Sequence, residues 1–441
     1  MMAHGMRASQ RAANDEPVRL TDTAVCPYCG KEIVLGECQI VATSTVTENS
    51  ANQSSPAVFQ DLGGEEDNHD DEERDRPHPI SGAKVFLWRG TNNQWPVVHL
   101  APLTLFNQED RGRWSRFTSG TPELPNVDEL GAIEDIPARL CPYCATPLPY
   151  DIDDREILTI AVVGVTGATK THYLASMLRT AYHDQALYES INCSEFAPDE
   201  DTSKTFHNNY YLELFVNGAV IPTTQVEFSE RVRFLPLAFR VTFRDGVRRT
   251  LLFHDVPGEF FTDKFKRNRF VPFIRRADGV IFLIDPRWMP PVSRFLSDRY
   301  GIRVGAAPRN QADVIGAVME EIGRSRDLTT VPIAVVVSKS DLVSGALGGT
   351  FMFDKDPPAE RNEWMTNMNE VSDEVEYLLT NELRTPDLLA AIRRIPSATF
   401  HAVSPLGFQP TDDEINVDDL RPRRCLDPLV SLLNRITDQA V

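Results

Sequence analysis

Residues 157–177, ILTIAVVGVTGATKTHYLASM, decide the fold of this chain. The stretch opens with an apolar run of strand length that ends in a glycine-bearing turn. The segment 171–185 that follows places its apolar residues at helical spacing. Strands that are apolar throughout are typical of a sheet covered by helices on both faces. The sequence therefore predicts a doubly wound α/β domain whose ligand crevice lies at the carboxyl ends of its strands.

The turn between this strand and helix has the composition of a phosphate-binding loop. GVTGATKT matches GxxxxGK[ST] at Gly164, Lys170 and Thr171, and it departs from the pattern at Thr169, where glycine is expected. Small residues let backbone N–H groups close on phosphates, and a helix N-terminus adds its positive dipole end. Thr169 would weaken binding if its φ is positive. A glycine turn with an incidental Lys-Thr is the alternative. The predicted nucleotide-binding residues of the loop are Gly164, Val165, Thr166, Gly167, Ala168, Thr169, Lys170 and Thr171.

Further strands follow in a mixed arrangement. The runs at 234–243 and 248–255 are joined through the tight turn Asp245-Gly246, so they must be antiparallel. Continuously apolar runs predict three more strands, at 278–285, 331–341 and 398–404. Helices are predicted at 311–324, 366–384 and 428–438.

Polar residues stand at the ends of these strands. Asp255 ends one strand, where its carboxylate could reach Mg²⁺ through water, and Gly258 could offer its N–H to a γ-phosphate. A plain β-turn is the alternative for this Asp-Val-Pro-Gly segment. Another strand ends in Ser338-Lys339-Ser340-Asp341. A carboxylate at Asp341 can accept two hydrogen bonds from guanine, whereas adenine offers no such donor pair.

The order of these motifs carries a family resemblance. Ser338-Lys339-Ser340-Asp341 resembles the guanine-reading [NT]KxD motif of GTPases, with serine in place of Asn or Thr, which leaves open how this loop and the phosphate loop are steadied. The final strand leads into Ser404-Pro405-Leu406, which resembles the SA[KL] loop that touches the base edge. Phosphate loop, DxxG, SKSD and SPL occur in the family order. The chain resembles a P-loop GTPase of the translation-factor-like (TRAFAC) class over about 157–435, and it is more loosely similar to the bacterial double-GTPase group.

The resemblance implies GTP or GDP with Mg²⁺ as the bound groups. It implies that Lys170 contacts the β- and γ-phosphates and that Thr171 and Asp255 serve the Mg²⁺. The switch threonine should lie between 188 and 231. We assign it to Thr224, with Thr202 and Thr205 as alternatives, and expect Thr224→Ala to spare GDP binding but weaken that of GTP analogues.

The resemblance also implies slow hydrolysis. Glu259 stands where Ras-like proteins carry a water-positioning glutamine, and a carboxylate is an acceptor only, repelled by the triphosphate. Members of the class without an arginine finger turn over at roughly 10⁻⁴ s⁻¹. We interpret the nearby arginines as a solvated basic face and not as an arginine finger. They are Arg267, Arg269, Arg275 and Arg276. A protein partner could supply the arginine finger instead.

Two CPYC segments, at 26–29 and 141–144, predict a structural metal site. Four thiolates can form a closed tetrahedral Zn²⁺ site, which resembles a zinc ribbon split by an insertion at 41–138. A redox CxxC pair or two unrelated turns are the alternatives. The predicted zinc ligands are Cys26, Cys29, Cys141 and Cys144; the remaining cysteines, Cys38, Cys193 and Cys425, are interpreted as free thiols.

The amino-terminal region is divided by composition. Residues 1–20 are polar and predict a disordered tail. Within the insertion, 61–76 holds nine acidic and two basic side chains and predicts disorder, whereas 83–106 reads as strands. The predicted domains are thus a tail, a small β zinc ribbon at 21–150 with its insertion, and a P-loop GTPase domain at 151–441.

The net charge limits the partners. The chain of 441 residues carries 45 basic and 64 acidic side chains, a formal charge of −19, which disfavours general binding to nucleic acid or anionic membranes. No membrane span or secretion signal is expected, and cysteine usage predicts a cytoplasmic protein. We expect a GTP-binding switch with an unidentified protein partner, which could be a second GTPase or a GTPase-activating protein. A P-loop ATPase and a non-hydrolysing zinc-ribbon scaffold are the alternatives.

Overall fold

The computed structural model describes a defined set of residues. They are 23–26, 31–34, 39–46, 84–87, 97–102, 137–141, 148, 152, 155–165, 167–183, 185–199, 202–203, 206–221, 236–255, 258–262, 272–305, 311–396, 398–410 and 415–438. The predicted tail at 1–20 and the acidic stretch at 61–76 lie outside them. Contacts divide the chain into two units, one of 1–157 with 226–235 and one of 158–225 with 236–441.

The first unit is built from short antiparallel strands. A hairpin pairs β1 (Thr23–Val25) with β2 (Glu32–Val34). A four-stranded sheet has the order β4-β5-β3-β6. Its strands are β3 (Gln39–Val46), β4 (Lys84–Leu87), β5 (Val97–Pro102) and β6 (Pro137–Leu140). β4 and β5 lie within 83–106, where the sequence predicted strands, whereas β3 was not predicted.

Pairing between β3 and β6 joins the two halves of the split amino-terminal region. Gln39 lies opposite Leu140, although about a hundred residues separate them. Cys141 directly follows β6, and Cys26 directly follows β1. Both side chains are fully buried in one cluster, together with Ile33, Leu148 and Ile152. The leading cysteines of the two CPYC segments therefore belong to the same small core.

The second unit is a mixed α/β domain around a seven-stranded sheet of order β13-β12-β11-β7-β10-β9-β8. Its strands are β7 (Glu156–Gly164), β8 (Cys193–Pro198), β9 (Leu237–Phe243), β10 (Arg248–Asp255), β11 (Gly279–Ile284), β12 (Ile333–Val337) and β13 (Ala398–Ala402). β11 is parallel to both β7 and β12, and β12 is parallel to β13. β9 runs antiparallel to both of its neighbours. The predicted α/β sheet with one reversed strand is confirmed.

Helices connect most of these strands, whereas β9 leads directly into β10. They are α1 (Lys170–His183), α2 (Gln185–Ser190), α3 (Leu212–Phe215), α4 (Glu259–Thr262), α5 (Pro290–Tyr300), α6 (Gln311–Gly323), α7 (Ser340–Leu347), α8 (Arg361–Asn381), α9 (Pro386–Ile392) and α10 (Asp427–Asp438). Every residue of β11 and of β12 is buried, which explains their uninterrupted apolar sequences. The loops that carry the candidate site residues begin at the ends of β7, β10, β11, β12 and β13.

The proline-rich run at 285–291 forms a 3₁₀ turn at Pro286–Trp288 and the start of α5. Pro290 and Pro291 stand in the first turn of that helix, where a missing N–H removes no helical hydrogen bond. Across the part of the chain that the structure describes, no helix is long and apolar enough to cross a membrane.

Candidate functional site

The lysine side chain of the phosphate loop donates hydrogen bonds to carbonyl groups of the same loop. Lys170 opens α1, and its Nζ donates to the carbonyl oxygens of Gly164 at 2.9 Å and Val165 at 3.4 Å. The N–H of Ala168 closes the turn onto the Val165 carbonyl at 3.0 Å. The ammonium is thus held at the mouth of the loop beside the first turn of a helix, where positive charge and N–H dipoles favour an anion.

Two glycines permit close backbone approaches around this loop. A Cβ on Gly164 would lie 2.6 Å from the Leu283 carbonyl oxygen of β11. A Cβ on Gly258 would lie 2.6 Å from the Gly164 carbonyl oxygen. No side chain fits at either contact, because both neighbours are backbone atoms. The DxxG turn, the phosphate loop and β11 are therefore stacked main chain on main chain.

Thr169 adopts the left-handed conformation that glycine would favour. Its φ is +61°, and its hydroxyl donates to the Ala168 carbonyl at 2.6 Å. A β-branched residue at positive φ is a backbone outlier that costs about 1–3 kcal/mol. The condition under which the sequence predicted weakened binding is met.

A hydroxyl and a carboxylate meet beside the loop. The Thr171 hydroxyl donates to Oδ2 of Asp255, at the end of β10, over 3.0 Å. Burial raises the pKa of Asp255, and Lys170 and the Thr171 hydrogen bond partly oppose that rise. Oxygen donors of these two kinds are what Mg²⁺ binds beside substrate phosphates. The pair fits the predicted magnesium role.

The loop after β12, which the sequence predicts to bind a purine, contains a second network of hydrogen bonds with the loop after β13. The Ser404 hydroxyl donates to Oδ1 of Asp341 at 2.5 Å and accepts the Gly407 N–H at 3.0 Å. The Pro405 carbonyl accepts a hydrogen bond from Ser176 of α1 at 2.7 Å. Burial raises the pKa of Asp341, and the Ser404 bond opposes that rise. The structure therefore brings together the acid and the serine that the sequence placed in separate motifs.

Ser338 and Lys339 hold this loop through hydrogen bonds to two different parts of the domain. The Ser338 hydroxyl is fully buried and donates to the Ile284 carbonyl of β11 at 3.0 Å. Lys339, at φ +50°, reaches the phosphate loop instead and donates to the Gly167 carbonyl at 2.7 Å. The serine thus ties the loop to the sheet, and the lysine ties it to the phosphate loop.

Two functional candidates were missed by the sequence reasoning. Asp285, directly after β11, accepts from Lys339 Nζ at 2.9 Å and is paired with Arg287 at 2.7 Å. Burial acts to raise the pKa of Asp285, but Lys339 and Arg287 outweigh it and hold that pKa below its usual range. The signal was available, since Asp285 ends an apolar strand just as Asp255 does.

Several predicted residues lie outside the described residues or away from the site. Thr166, Thr205, Thr224, Cys29, Cys144, Arg267 and Arg269 are outside, as are Cys38 and the side chain of Glu259. Thr202 is committed elsewhere, because its hydroxyl accepts the Ala238 N–H at 2.7 Å. Arg275 is paired with the buried Glu321 at 2.8 Å, which agrees with a structural reading of that arginine. Arg276 is exposed.

Only two of the four predicted zinc ligands, Cys26 and Cys141, are among the described residues. Within the described residues, no group of three or more His, Cys, Asp or Glu side chains is placed to hold a metal ion. Cys26 and Cys141 share a buried cluster, and their partners in the two CPYC segments are not among those residues. Zinc therefore stays a prediction.

Comparison with known proteins points to one family. The model of a family described as Double-GTPase 2 matches residues 158–385. A Mycolicibacterium smegmatis protein named "Putative ESX-1 scaffolding and assembly protein SaeC" is 26% identical over 345 residues, which cover 72% of this chain and 85% of that protein. A crystal structure of a bacterial selenocysteine-specific elongation factor, EF-Sec, matches at 10% identity and a TM-score of 0.20. That match covers 56% of this chain and 26% of the other, so the chain spans about a quarter of that factor's length.

Proposed function

Because the chain belongs to the Double-GTPase 2 family, we propose that it binds guanine nucleotides with Mg²⁺ and hydrolyses GTP slowly, as a nucleotide-controlled switch. The observation that carries this proposal is the link between the two halves of the site. Lys339 donates to the Gly167 carbonyl of the phosphate loop at 2.7 Å, and Asp341 stands two residues further along the same loop. A purine held at Asp341 would thus belong to the same ligand as phosphates held at 164–171.

Purine choice rests on Asp341. A carboxylate can accept from both the ring N–H and the amino group of guanine, and the Ser404 hydroxyl orients one of its oxygens. A site built on such bonds rejects a ligand that lacks the donors by roughly 10⁴-fold or more. ATP presents no matching pair, so the ATPase alternative predicts that Asp341 is irrelevant to the choice of base.

The phosphate side supplies positive charge and metal ligands. Lys170 is the cation of the phosphate loop, and Thr171 with Asp255 would hold the metal. When bound, Mg²⁺ would neutralise charge that develops on the β- and γ-phosphates. We retain Thr224 as the switch threonine and Glu259 as the reason for slow turnover, at roughly 10⁻⁴ s⁻¹ without a supplied arginine.

The deciding experiment compares the affinity of the chain for nucleotides that differ in their purine. The wild-type chain should bind GTP and GDP much more tightly than ATP in fluorescence titrations with labelled nucleotides. Asp341→Asn replaces an acceptor by a donor, so it should lose guanine affinity by about 100-fold and gain affinity for xanthosine nucleotides, which carry a carbonyl in place of the amino group. Lys170→Ala should lose all of them. An unchanged preference among purines in Asp341→Asn would overturn the proposal.

A non-hydrolysing scaffold is the second candidate, and two observations favour it. The Mycolicibacterium relative is named as a scaffolding and assembly protein, and Thr169 strains the phosphate loop of this chain. This candidate predicts that millimolar GTP leaves the melting temperature unchanged. The switch predicts a rise that follows nucleotide concentration.

We further propose that the amino-terminal unit binds one structural zinc ion and that it recruits a protein partner. The shared burial of Cys26 and Cys141 supports the zinc proposal. Metal analysis of the purified chain should find about one zinc per chain, and Cys26→Ser with Cys141→Ser should abolish it. Retention of zinc in that double variant would refute the site.

A further inference from the structure

One buried carboxylate beside the phosphate loop serves two cations. The Asp285 side chain is fully buried. Its Oδ2 accepts from Lys339 Nζ at 2.9 Å and from Arg287 Nη2 at 2.7 Å. The Arg287 Nε donates to both carboxylate oxygens, at 3.1 and 2.9 Å. The Arg287 backbone N–H adds a bond of 3.0 Å to Oδ1. The guanidinium is therefore held in a multidentate fork, which restricts it far more than a single contact would.

Both cations also reach the same atom of the phosphate loop. Arg287 Nη2 donates to the Gly167 carbonyl at 3.1 Å, and Lys339 Nζ donates to it at 2.7 Å. Gly167 has a φ of +84°, and a Cβ there would lie 2.7 Å from Arg287 Nη2. The guanidinium thus rests directly on the loop, in space that any other residue at 167 would occupy.

The backbone segment that carries Asp285 and Arg287 is held by further hydrogen bonds. The Gln311 side-chain amide brackets the Asp285 backbone, accepting its N–H at 2.7 Å and donating to its carbonyl at 3.1 Å. The Trp288 indole N–H donates to the Gly305 carbonyl at 3.2 Å. The segment that carries Arg287 is thereby fixed on both sides of the arginine.

Charge accounting shows what Arg287 adds. Lys339 and Asp285 alone would form a neutral pair. With Arg287 the three side chains carry a net charge of +1, placed on the carbonyl of a loop that has to hold an anion. The Arg287 side chain keeps 30% of its surface exposed, so this charge lies at the edge of the crevice and is not enclosed in the core.

We propose that Arg287 is a positioning residue for nucleotide binding, which holds Lys339 and the Gly167 carbonyl in register through Asp285 and so couples the purine-reading loop to the phosphate loop. This inference rests on the proposed guanine-nucleotide function. Arg287 contacts the Gly167 carbonyl directly and reaches Lys339 only through Asp285, so it should support binding of GDP and of GTP equally, and we assign it no role in the transition state.

The test compares Arg287→Gln, Arg287→Lys and the wild-type chain by titration with labelled GDP and a GTP analogue. Arg287→Gln should weaken both nucleotides by about tenfold or more, and by the same factor. Arg287→Lys keeps the charge but loses the fork, so it should fall between the two. Arg299→Gln, on the exposed end of α5, is the matched control for net charge and should bind as the wild type does.

The pH dependence gives a readout that a merely structural role would not move. Burial lowers the pKa of Lys339 to about 8; Asp285 and Asp341 oppose the shift, whereas Arg287 adds to it. His172 lies within electrostatic range of this ammonium, since Lys339 contributes to the lowered pKa of that imidazole. Since bound phosphate favours the charged lysine, affinity should fall as the pH rises above about 8. Arg287→Gln removes a neighbouring cation, so the fall should begin at higher pH, whereas Arg287→Lys should keep the wild-type profile.

Three results would overturn the inference. They are unchanged affinity and profile in Arg287→Gln, a selective loss of the GTP analogue, and a loss of turnover with affinity kept. If Arg287→Gln does not fold, a wild-type affinity in Arg287→Lys has the same meaning, because the fork would then be dispensable. Failure of the wild-type chain to bind any guanine nucleotide would instead refute the proposed function.

Discussion

Thr169 and Lys339 both hold positive φ angles within the same site. Lys339 is unbranched at Cβ, and its side chain is anchored on Gly167 and Asp285. Thr169 is β-branched, and glycine would adopt its conformation without strain. The two residues therefore differ in what the backbone costs them, and only Thr169 offers a substitution that should improve the loop.

We predict that Thr169→Gly stabilises the chain and tightens nucleotide binding. Relief of strain should contribute about 1–3 kcal/mol, against about 0.4–1 kcal/mol for the greater entropy of the unfolded chain, which leaves about 1 kcal/mol. The melting temperature without nucleotide and the GDP affinity measure the two effects. Thr169→Ser keeps the positive φ without the branch and should lie between. A melting temperature below that of the wild type in Thr169→Gly would contradict the prediction.

Stacked elements, more than single side chains, give the phosphate loop its shape. The end of β11, the loop itself and the DxxG turn after β10 approach each other through main-chain atoms at Gly164 and Gly258. Each of these approaches joins segments more than ninety residues apart in the sequence. The site is therefore sensitive to small additions of volume at these two positions.

Gly258→Ala tests this sensitivity. Its Cβ would lie 2.6 Å from the Gly164 carbonyl oxygen, so the turn or the loop has to move. Overpacking of this kind costs about 1–3 kcal/mol. We expect a weaker GTP affinity with a smaller change for GDP, because the proposed function assigns the N–H of Gly258 to the γ-phosphate. Gly246→Ala provides the control, since at φ +89° it strains a turn that has open space around it. Equal losses of GTP affinity in both variants would argue against the close approach as the cause.

The predictable elements share one property, which is that their signal is local. β10 and β12 are apolar runs that lead directly into Asp255 and Ser338, so the strand and the site residue were predicted together. β11 was predicted as a strand, although Asp285 after it was not recognised. β8 (Cys193–Pro198) escaped because its burial alternates irregularly and it lies at the edge of the sheet. Arg287 was not predicted, because its partner Gly167 lies 120 residues away in the sequence.

Three buried histidines should govern how the chain responds to acid. Burial lowers the pKa of His172 to about 4 and those of His254 and His401 to about 3. In the unfolded chain these histidines take up protons near pH 6.5. The stability that their burial in the neutral form gives is therefore fully present above that pH and is lost as the pH falls toward the folded pKa values of about 4 and 3. The raised pKa values of Asp255 and Asp341 act in the opposite sense and offset part of the loss.

His254→Phe should remove about one third of the stability loss that the three buried histidines cause at acid pH. The ring stacks on Phe273 with centroids 3.8 Å apart, and neither nitrogen has a hydrogen-bond partner among the described residues. Each histidine contributes about 1.4 kcal/mol to the loss at pH 5.5. The difference in melting temperature between pH 7.5 and pH 5.5 should therefore shrink in the variant, with equal or higher stability at pH 7.5. An unchanged difference would contradict the prediction, because the ring would then take up a proton as readily in the folded chain as in the unfolded one.

The parallel strand at the margin of the sheet has a practical consequence. The family match ends at residue 385, yet β13, the Ser404 hydroxyl on Asp341 and the Pro405 carbonyl that accepts Ser176 all come later. A gene trimmed to the matched residues would retain Lys170, Lys339 and Asp341 while deleting β13 and Ser404, whose hydroxyl is bonded to the Asp341 carboxylate. Expression boundaries drawn from homology alone would thus yield a protein whose poor nucleotide binding reflects the cut and not the family.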